Sequence, residues 1–139
     1  MQIPVRKLVS HATLPKRAHK SDAGLDIFSC EDIVVGPNER IAVRTGISFS
    51  LPLGYVGLVW DKSGISFSGV KTFGGVIDAG YRGEIKIILM NFESKPFSIN
   101  CGQKIAQLLV QRVSMCEAIE VSELDDTERG INGFGSTGK

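Results

Sequence analysis

Turn-forming residues cut the middle of this chain into short pieces of similar size, and that spacing limits its possible folds more than any other feature. Gly36-Pro37-Asn38, Pro52-Leu53-Gly54, Ser63-Gly64, Gly74-Gly75, residues 80–83 and Lys95-Pro96 all interrupt it. Glycine supplies positive φ, and proline fixes φ while removing an N–H, so pieces of strand length fit between these breaks better than helices do. In residues 40–49, Ile41, Val43, Thr45, Ile47 and Phe49 alternate with Arg44, Gly46 and Ser48. That period of two predicts a half-buried strand. Residues 55–60 and 85–90 are apolar runs of strand length, the second rich in β-branched side chains. Residues 105–113 fit two periods. Ile105, Ala106, Leu108, Leu109 and Val113 make a helical stripe, whereas Gly102 before them and residues 110–113 after suit a short buried strand; the strand is the reading taken. The fold class predicted is all-β.

With 139 residues, 42% hydrophobic and 22% charged, the chain has enough apolar material for one packed domain. Sixteen Lys and Arg against fifteen Asp and Glu leave a formal charge of +1. That balance gives no general attraction for a nucleic-acid backbone, so any phosphate affinity must be local. No apolar run approaches the roughly 18–20 residues that a membrane-crossing helix needs, and residues 1–10 lack the apolar stretch of a secretion signal. A cytoplasmic protein is expected, or a nuclear one if the source is eukaryotic, with neither nucleic acid nor membrane as partner. Cys30, Cys101 and Cys116 are odd in number and lack Cys-x-x-Cys spacing, which predicts buried or half-buried free thiols and neither a disulfide framework nor a zinc site. His11 and His19 read as surface residues. The basic start (Arg6, Lys7, Lys16, Arg17, Lys20) and the acidic stretch from Glu117 to Glu128 read as solvated faces. Residues 129–139, with Gly130, Gly133, Gly135 and Gly138, read as a mobile arm beyond a domain of residues 1–128.

Four short segments carry possible chemistry. The tail Gly133-Phe134-Gly135-Ser136-Thr137-Gly138-Lys139 matches the first seven positions of a phosphate-binding loop, but the Ser or Thr and the helix that such a loop requires have no counterpart after it. Bare backbone N–H groups, two hydroxyls and the cations Arg129 and Lys139 still suit an anion, and Phe134 offers a flat face to a base. Asp61-Lys62-Ser63-Gly64 is a turn able to aim Ser63 and backbone N–H groups at a phosphate oxygen. In residues 74–84, two glycines permit close backbone approach to a ligand, and Asp78 could serve as a base. Ser21-Asp22-Ala23-Gly24-Leu25-Asp26 brings two carboxylates, hard oxygen donors suited to magnesium or its waters. Ordinary turn chemistry accounts for each of the last three segments taken alone.

Taken together and in order, residues 23–29, 61–64, 75–83, 102–108 and 129–138 closely resemble the five motifs of the trimeric deoxyuridine triphosphate pyrophosphatases, the dUTPases. The resemblance implies a distorted jelly-roll protomer of the dUTPase-like β-clip type, a homotrimer, and three active sites at subunit interfaces, each closed by a C-terminal arm. The implied reaction is hydrolysis of dUTP to dUMP and pyrophosphate, limiting uracil in DNA and supplying dUMP for dTMP synthesis. Water would attack the α-phosphorus in line with Asp78 as general base. Mg2+ would bridge the phosphates, with Asp26 holding its water shell and Gln107 close to the ion or phosphates. Lys62, Ser63 and Gly64 would anchor the inner phosphates, while Arg129, Gly135, Ser136 and Thr137 from another subunit would close on the γ-phosphate. Uracil would lie in a hairpin around Gly74-Gly75, read by main chain at Gly75 and Ile77, with Phe134 stacked above and Tyr81 packed where a ribose 2′-hydroxyl would collide.

Four positions depart from the family pattern. Lys62 stands where arginine is usual, which keeps the charge and loses the two-pronged fork. Asn132 replaces a common glycine, and Ala79-Gly80 follow Asp78 where acids are frequent. Two other functions share the resemblance: a dCTP deaminase-related enzyme and a dUTP-sensing regulatory trimer. The deaminase needs a glutamate where this chain has Ile88, and Asp78 argues against a purely silent binder.

Overall fold

Gly46 divides the first alternating run in two. The computed structural model describes residues 1–133. In it the expected strand over residues 40–49 is a pair, β4 (Arg40–Arg44) and β5 (Ile47–Phe49), because Gly46 takes φ +66° between them. A Cβ built there would lie 2.6 Å from Val9 Cγ2 and 3.0 Å from Ala12 Cβ, so the bend needs glycine both for its φ and for its space. The two halves then serve different partners. β5 pairs with β1 (Val5–Lys7), and β4 joins a sheet ordered β4-β9-β7, with β7 at Val70–Phe73 and β9 at Lys86–Asn91.

The second main sheet is ordered β2-β11-β6-β8, with β2 at Leu25–Phe28, β6 at Tyr55–Trp60, β8 at Val76–Ile77 and β11 at Lys104–Arg112. A two-stranded ribbon of β3 (Ile33–Val35) and β10 (Phe97–Ile99) completes the framework, and every strand pairing is antiparallel. The run at residues 105–113 is therefore a strand. Its helix-like stripe has a local cause: between Lys104 and Ala106 the register against β2 slips, so that adjacent Ile105 and Ala106 are both buried before the alternation resumes.

Ile27, Val43, Ile47, Ile87, Leu89, Ile105 and Leu108 fill one core between the sheets. Each contributes roughly 1.5–3 kcal/mol on burial. β9 keeps the simple period, with Ile87, Leu89 and Asn91 inward and Lys86 and Ile88 outward. Asn91 is fully buried and fully bonded: its amide donates to the carbonyls of Val35, Gly36 and Lys95, and its Oδ1 accepts from Glu93 N at 2.9 Å.

Three expectations are corrected. Asp61-Lys62-Ser63-Gly64 does not end as a turn but leads into a single helical turn, α1 (Ser63–Phe67), stopped by Gly69 at φ +77°; five residues are too few for a periodic signal. Gly74-Gly75 is not the tip of a hairpin, because β7 and β8 lie in different sheets. Of the thiols only Cys30 is buried, and burial pushes its pKa up. Cys101 occupies the turn before β11, and Cys116 follows the last strand, so both are exposed. His11 and His19 are at the surface, as expected, His11 with Nε2 2.9 Å from the Cys30 carbonyl. Residues 114–132 are exposed and in no strand, the acidic stretch among them. Among the described residues no helix is long and apolar enough to cross a membrane.

Replacing Gly46 by alanine imposes left-handed backbone on a residue with a Cβ and presses that carbon into Val9. The expected loss of unfolding free energy is about 2–4 kcal/mol, measured by denaturant titration at constant protein concentration. A loss below roughly 0.5 kcal/mol would mean that neighbouring residues absorb the strain.

Candidate active site

The corner at Gly74-Gly75 builds a cavity. Both residues take positive φ, +71° and +116°, and carry the chain out of β7 in one sheet and into β8 in the other. A Cβ at Gly75 would come within 2.9 Å of the Val59 carbonyl oxygen. Bare of side chain, Gly75 lies against β6 and its carbonyl accepts from Val59 N at 2.7 Å. Beyond β8 the chain turns at Asp78, whose carbonyl accepts from Tyr81 N at 3.1 Å. A cavity of about 400 Å³ opens here, lined by Val59, Gly75, Ile77, Asp78, Tyr81 and Ile88 among others. Four of the sequence-predicted residues, Gly75, Ile77, Asp78 and Tyr81, thus share one hollow.

The loop over residues 78–84 is fastened at both ends. Tyr81 Oη donates to the Glu84 carbonyl at 3.0 Å, and the ring lies so close over Gly83 that a Cβ there would overlap it. Arg82 donates to the carbonyls of Ala79 and Tyr81 at 2.6 and 2.8 Å. Glu84 accepts from Gly46 N at 3.0 Å and pairs with Arg44 at 3.2 Å, which fixes the loop to the bend between β4 and β5.

A second group forms where β2, β11 and the end of β6 lie side by side. Asp26, Gln107 and Trp60 are register neighbours across these three strands. Asp26 is 6% exposed. Lys62 Nζ donates to its Oδ1 at 2.5 Å, and Lys104 Nζ lies 2.7 Å from Oδ2 in an ion pair that leaves this oxygen without an aligned hydrogen bond. Burial alone would raise the Asp26 pKa; the two ammonium groups outweigh it and hold the carboxyl below the usual range. Gln107 Nε2 donates to the Asp61 carbonyl at 2.8 Å, and its Oε1 packs where any side chain at Gly24 would collide. Its amide therefore braces the segment that carries Lys62, Ser63 and Gly64. Ser63 and Gly64 are exposed at the start of α1.

Asp61 was legible only as part of a turn, yet it is the most bonded carboxylate of this region. Its Oδ1 accepts from Thr72 N and Thr72 Oγ1 at 2.6 and 2.8 Å, and its Oδ2 lies 3.4 Å from Lys71 Nζ. Burial raises its pKa, and the Thr72 donors with Lys71 bring it below the ordinary value. Lys71, Thr72 and Lys104 carried no sequence signal of their own, because their role depends on which strands become neighbours.

In one chain Asp26, Lys62, Ser63, Gly64 and Gln107 do not line the cavity that holds Asp78. Arg129 is exposed in a turn of its own, Nε donating to the Asn132 carbonyl at 3.0 Å. Phe134, Gly135, Ser136 and Thr137 lie outside the described residues. Among the described residues no three His, Cys, Asp or Glu side chains converge to hold a metal.

A family model described as dUTPase matches residues 10–138. The deoxyuridine 5'-triphosphate nucleotidohydrolase of Corynebacterium glutamicum is 48% identical over 141 residues, spanning 99% of this chain and 95% of its own. Among solved structures, the Staphylococcus bacteriophage 80alpha dUTPase with dUPNHPP superposes with a TM-score of 0.94 at 33% identity over 99% of both chains. An aspartate-to-asparagine variant of the dUTPase from phage phi11 of S. aureus, described as revealing the coordination of a structural Mg(II) ion, has a TM-score of 0.86 at 32% identity over 91% of this chain and 100% of that one. By sequence along almost its whole length and by fold, this chain belongs to the dUTPase family.

Proposed function

We propose that this protein is a dUTP diphosphatase that cleaves dUTP to dUMP and pyrophosphate, with Asp78 as the base that activates water. The observation that carries the reading is the carboxylate of Asp78 at a cavity lined mostly by apolar groups, Val59, Phe73, Gly75, Ile77, Tyr81 and Ile88 among them, with Glu84 and Lys86 as its other charged residues. Such walls suit a flat base and a deoxyribose. In the reaction a water oxygen bonds to the α-phosphorus while the bond from that phosphorus to the bridging oxygen of the β-phosphate breaks. The water's proton passes to Asp78, and pyrophosphate leaves. A positioned base of this kind contributes about 10²–10⁴ in rate. Tyr81, tethered to the Glu84 carbonyl and lying over Gly83, makes a fixed wall against the sugar. That wall is the element proposed to reject a 2′-hydroxyl.

Lys62 and Ser63 are the proposed phosphate contacts, and Gln107 supports them from behind through the Asp61 carbonyl. Magnesium, when bound with the nucleotide, would offset the negative charge of the triphosphate. Asp26 is the residue that fits it, through water. Both of its oxygens face lysines and Oδ2 is buried, so a metal-bound water would reach the carboxylate only as a lysine moved aside. The deaminase reading finds no support: Ile88 lines the cavity, and Glu84, the other acid in its lining, is engaged by Arg44 and Gly46 N. The absence of the Lys62 group from the lining of the Asp78 cavity supports a site assembled between copies of the chain, as a homotrimer. Arg129 and residues 134–137 would close it from a third position.

Pyrophosphate release measured in parallel on dUTP, dTTP, dCTP and UTP, with and without magnesium, should show strong preference for dUTP with the metal, and dCTP should yield no ammonia. Asp78→Asn should keep nucleotide binding and slow turnover at least about 10²-fold; unchanged turnover would remove Asp78 from the mechanism.

Co-refolding the Asp78→Asn chain with a Ser63→Ala chain tests the shared site. Random trimers should recover up to about a quarter of wild-type activity, since that share of sites receives both intact residues. Activity no greater than that of either variant alone would place both residues in one subunit's site.

The Asp26 pair predicts an acid limit. Because the folded pKa of Asp26 lies below 3.8, its ion pairs contribute fully above the unfolded value and are lost as pH falls through the lowered one. Asp26→Asn should cost about 1–3 kcal/mol at pH 7. That difference from wild type should shrink below about pH 4. A difference independent of pH, measured by denaturant unfolding at pH 7 and pH 3, would show that charge is not what Asp26 supplies.

A further inference from the structure

We propose that Asp61 is a positioning residue that sets the phosphate-holding segment Lys62-Ser63-Gly64 in place by tying it to both sheets at once; this rests on the assignment of that segment to the substrate's phosphates. The need for such a tie follows from α1 itself. Five residues make a single helical turn, which has little stability of its own. Lys62, its N-cap, makes no side-chain capping bond, and none of residues 63–67 is buried. Ile65 packs half-buried against the core, but one such contact and a single helical turn do not by themselves hold Ser63 to the sub-ångström tolerance that phosphate chemistry needs.

Asp61 supplies what the helix lacks. Its side chain accepts two hydrogen bonds from Thr72 on β7, at 2.6 Å from the backbone N–H and 2.8 Å from the hydroxyl. Its main-chain carbonyl accepts from Gln107 on β11 at 2.8 Å. β7 belongs to the sheet β4-β9-β7 and β11 to the sheet β2-β11-β6-β8. One residue is thus anchored in both layers immediately before Lys62, and Lys62 is anchored again on Asp26 of β2. The peptide entering Ser63 has little freedom left. A carboxylate so close to bound phosphates would repel them if it stood alone, and Lys71, 3.4 Å from Oδ2, offsets that charge.

The test compares Asp61→Ala, Asp61→Asn, Thr72→Val and Ser63→Ala in steady-state hydrolysis of dUTP, with inhibition by deoxyuridine as the control for the base pocket. Asp61→Ala should lower kcat/KM for dUTP about 10- to 100-fold, while the inhibition constant of deoxyuridine, which has no phosphates, changes less than about twofold. Asp61→Asn should return kcat/KM to within about threefold of wild type, because its amide oxygen can accept the same two bonds from Thr72. If Asp61→Ala does not fold, Thr72→Val decides: loss of the hydroxyl bond should cost about 3- to 10-fold in kcat/KM. Wild-type kcat/KM in Asp61→Ala, or in Thr72→Val when that variant decides, would overturn the proposal. So would parallel weakening of deoxyuridine, which would indicate general loosening. Ser63→Ala separates the two layers of inference. If it leaves kcat/KM unchanged, the assignment of the segment to phosphate fails and the proposal fails with it. If it is impaired while Asp61→Ala is not, only the positioning role fails.

Discussion

Everything functional in this fold hangs on the chain changing sheets at Gly74-Gly75. A strand that continued straight would stay in the β4-β9-β7 layer and leave Asp78 far from β6. Two successive residues at positive φ bend it across instead, and the absence of a Cβ at Gly75 lets its backbone lie on Val59. The short strand β8 then pairs with β6 for only two residues before the chain turns again at Asp78. Brief pairing is an advantage here. A longer strand would carry Asp78 along the sheet edge, whereas two residues release it at the cavity, and the fastening of residues 78–84 by Tyr81, Arg82 and Glu84 keeps it there.

The same sheet geometry explains why the group around Asp26 is cationic although the chain is nearly neutral. β2, β11 and the end of β6 place Asp26, Lys104 and Lys62 together, two positive charges on one buried negative. The surplus is local and comes from strand register, which overall composition cannot reveal. Around the buried Asp26 carboxylate, charge counts more than it does in open water.

How much of this was legible in the sequence depends on whether the signal was local. β6 appears over the run read as a strand, and β9 lies within one residue of its run, because their apolar spacing is a property of the segment itself. The helix-like stripe at Ile105, Ala106 and Leu108 reflects a bulge, a feature of pairing with β2 that no single segment encodes. The division of residues 40–49 at Gly46 was visible as a glycine in an alternating run, but its meaning required Val9 and Ala12, which approach only in the folded chain. The motif residues of the cavity could be named from resemblance, and Asp61 could not be given a role, since its partners Thr72 and Gln107 come from two sheets whose juxtaposition is tertiary.

Three carboxylates near the site show how surroundings separate roles that the residue type leaves open. Asp26 is buried between two lysines, which suits it to organising charge and leaves it poorly placed to receive a proton. Asp61 spends Oδ1 on two donors from one threonine and faces a lysine with Oδ2, so its chemistry is anchoring. Asp78 is exposed at the cavity wall, and among the described residues no donor holds its carboxylate. A general base needs a lone pair free to take hydrogen from water, and a carboxylate saturated by lysine or backbone N–H groups has none to offer. Of the three acids, Asp78 is the one whose oxygens no donor among the described residues occupies.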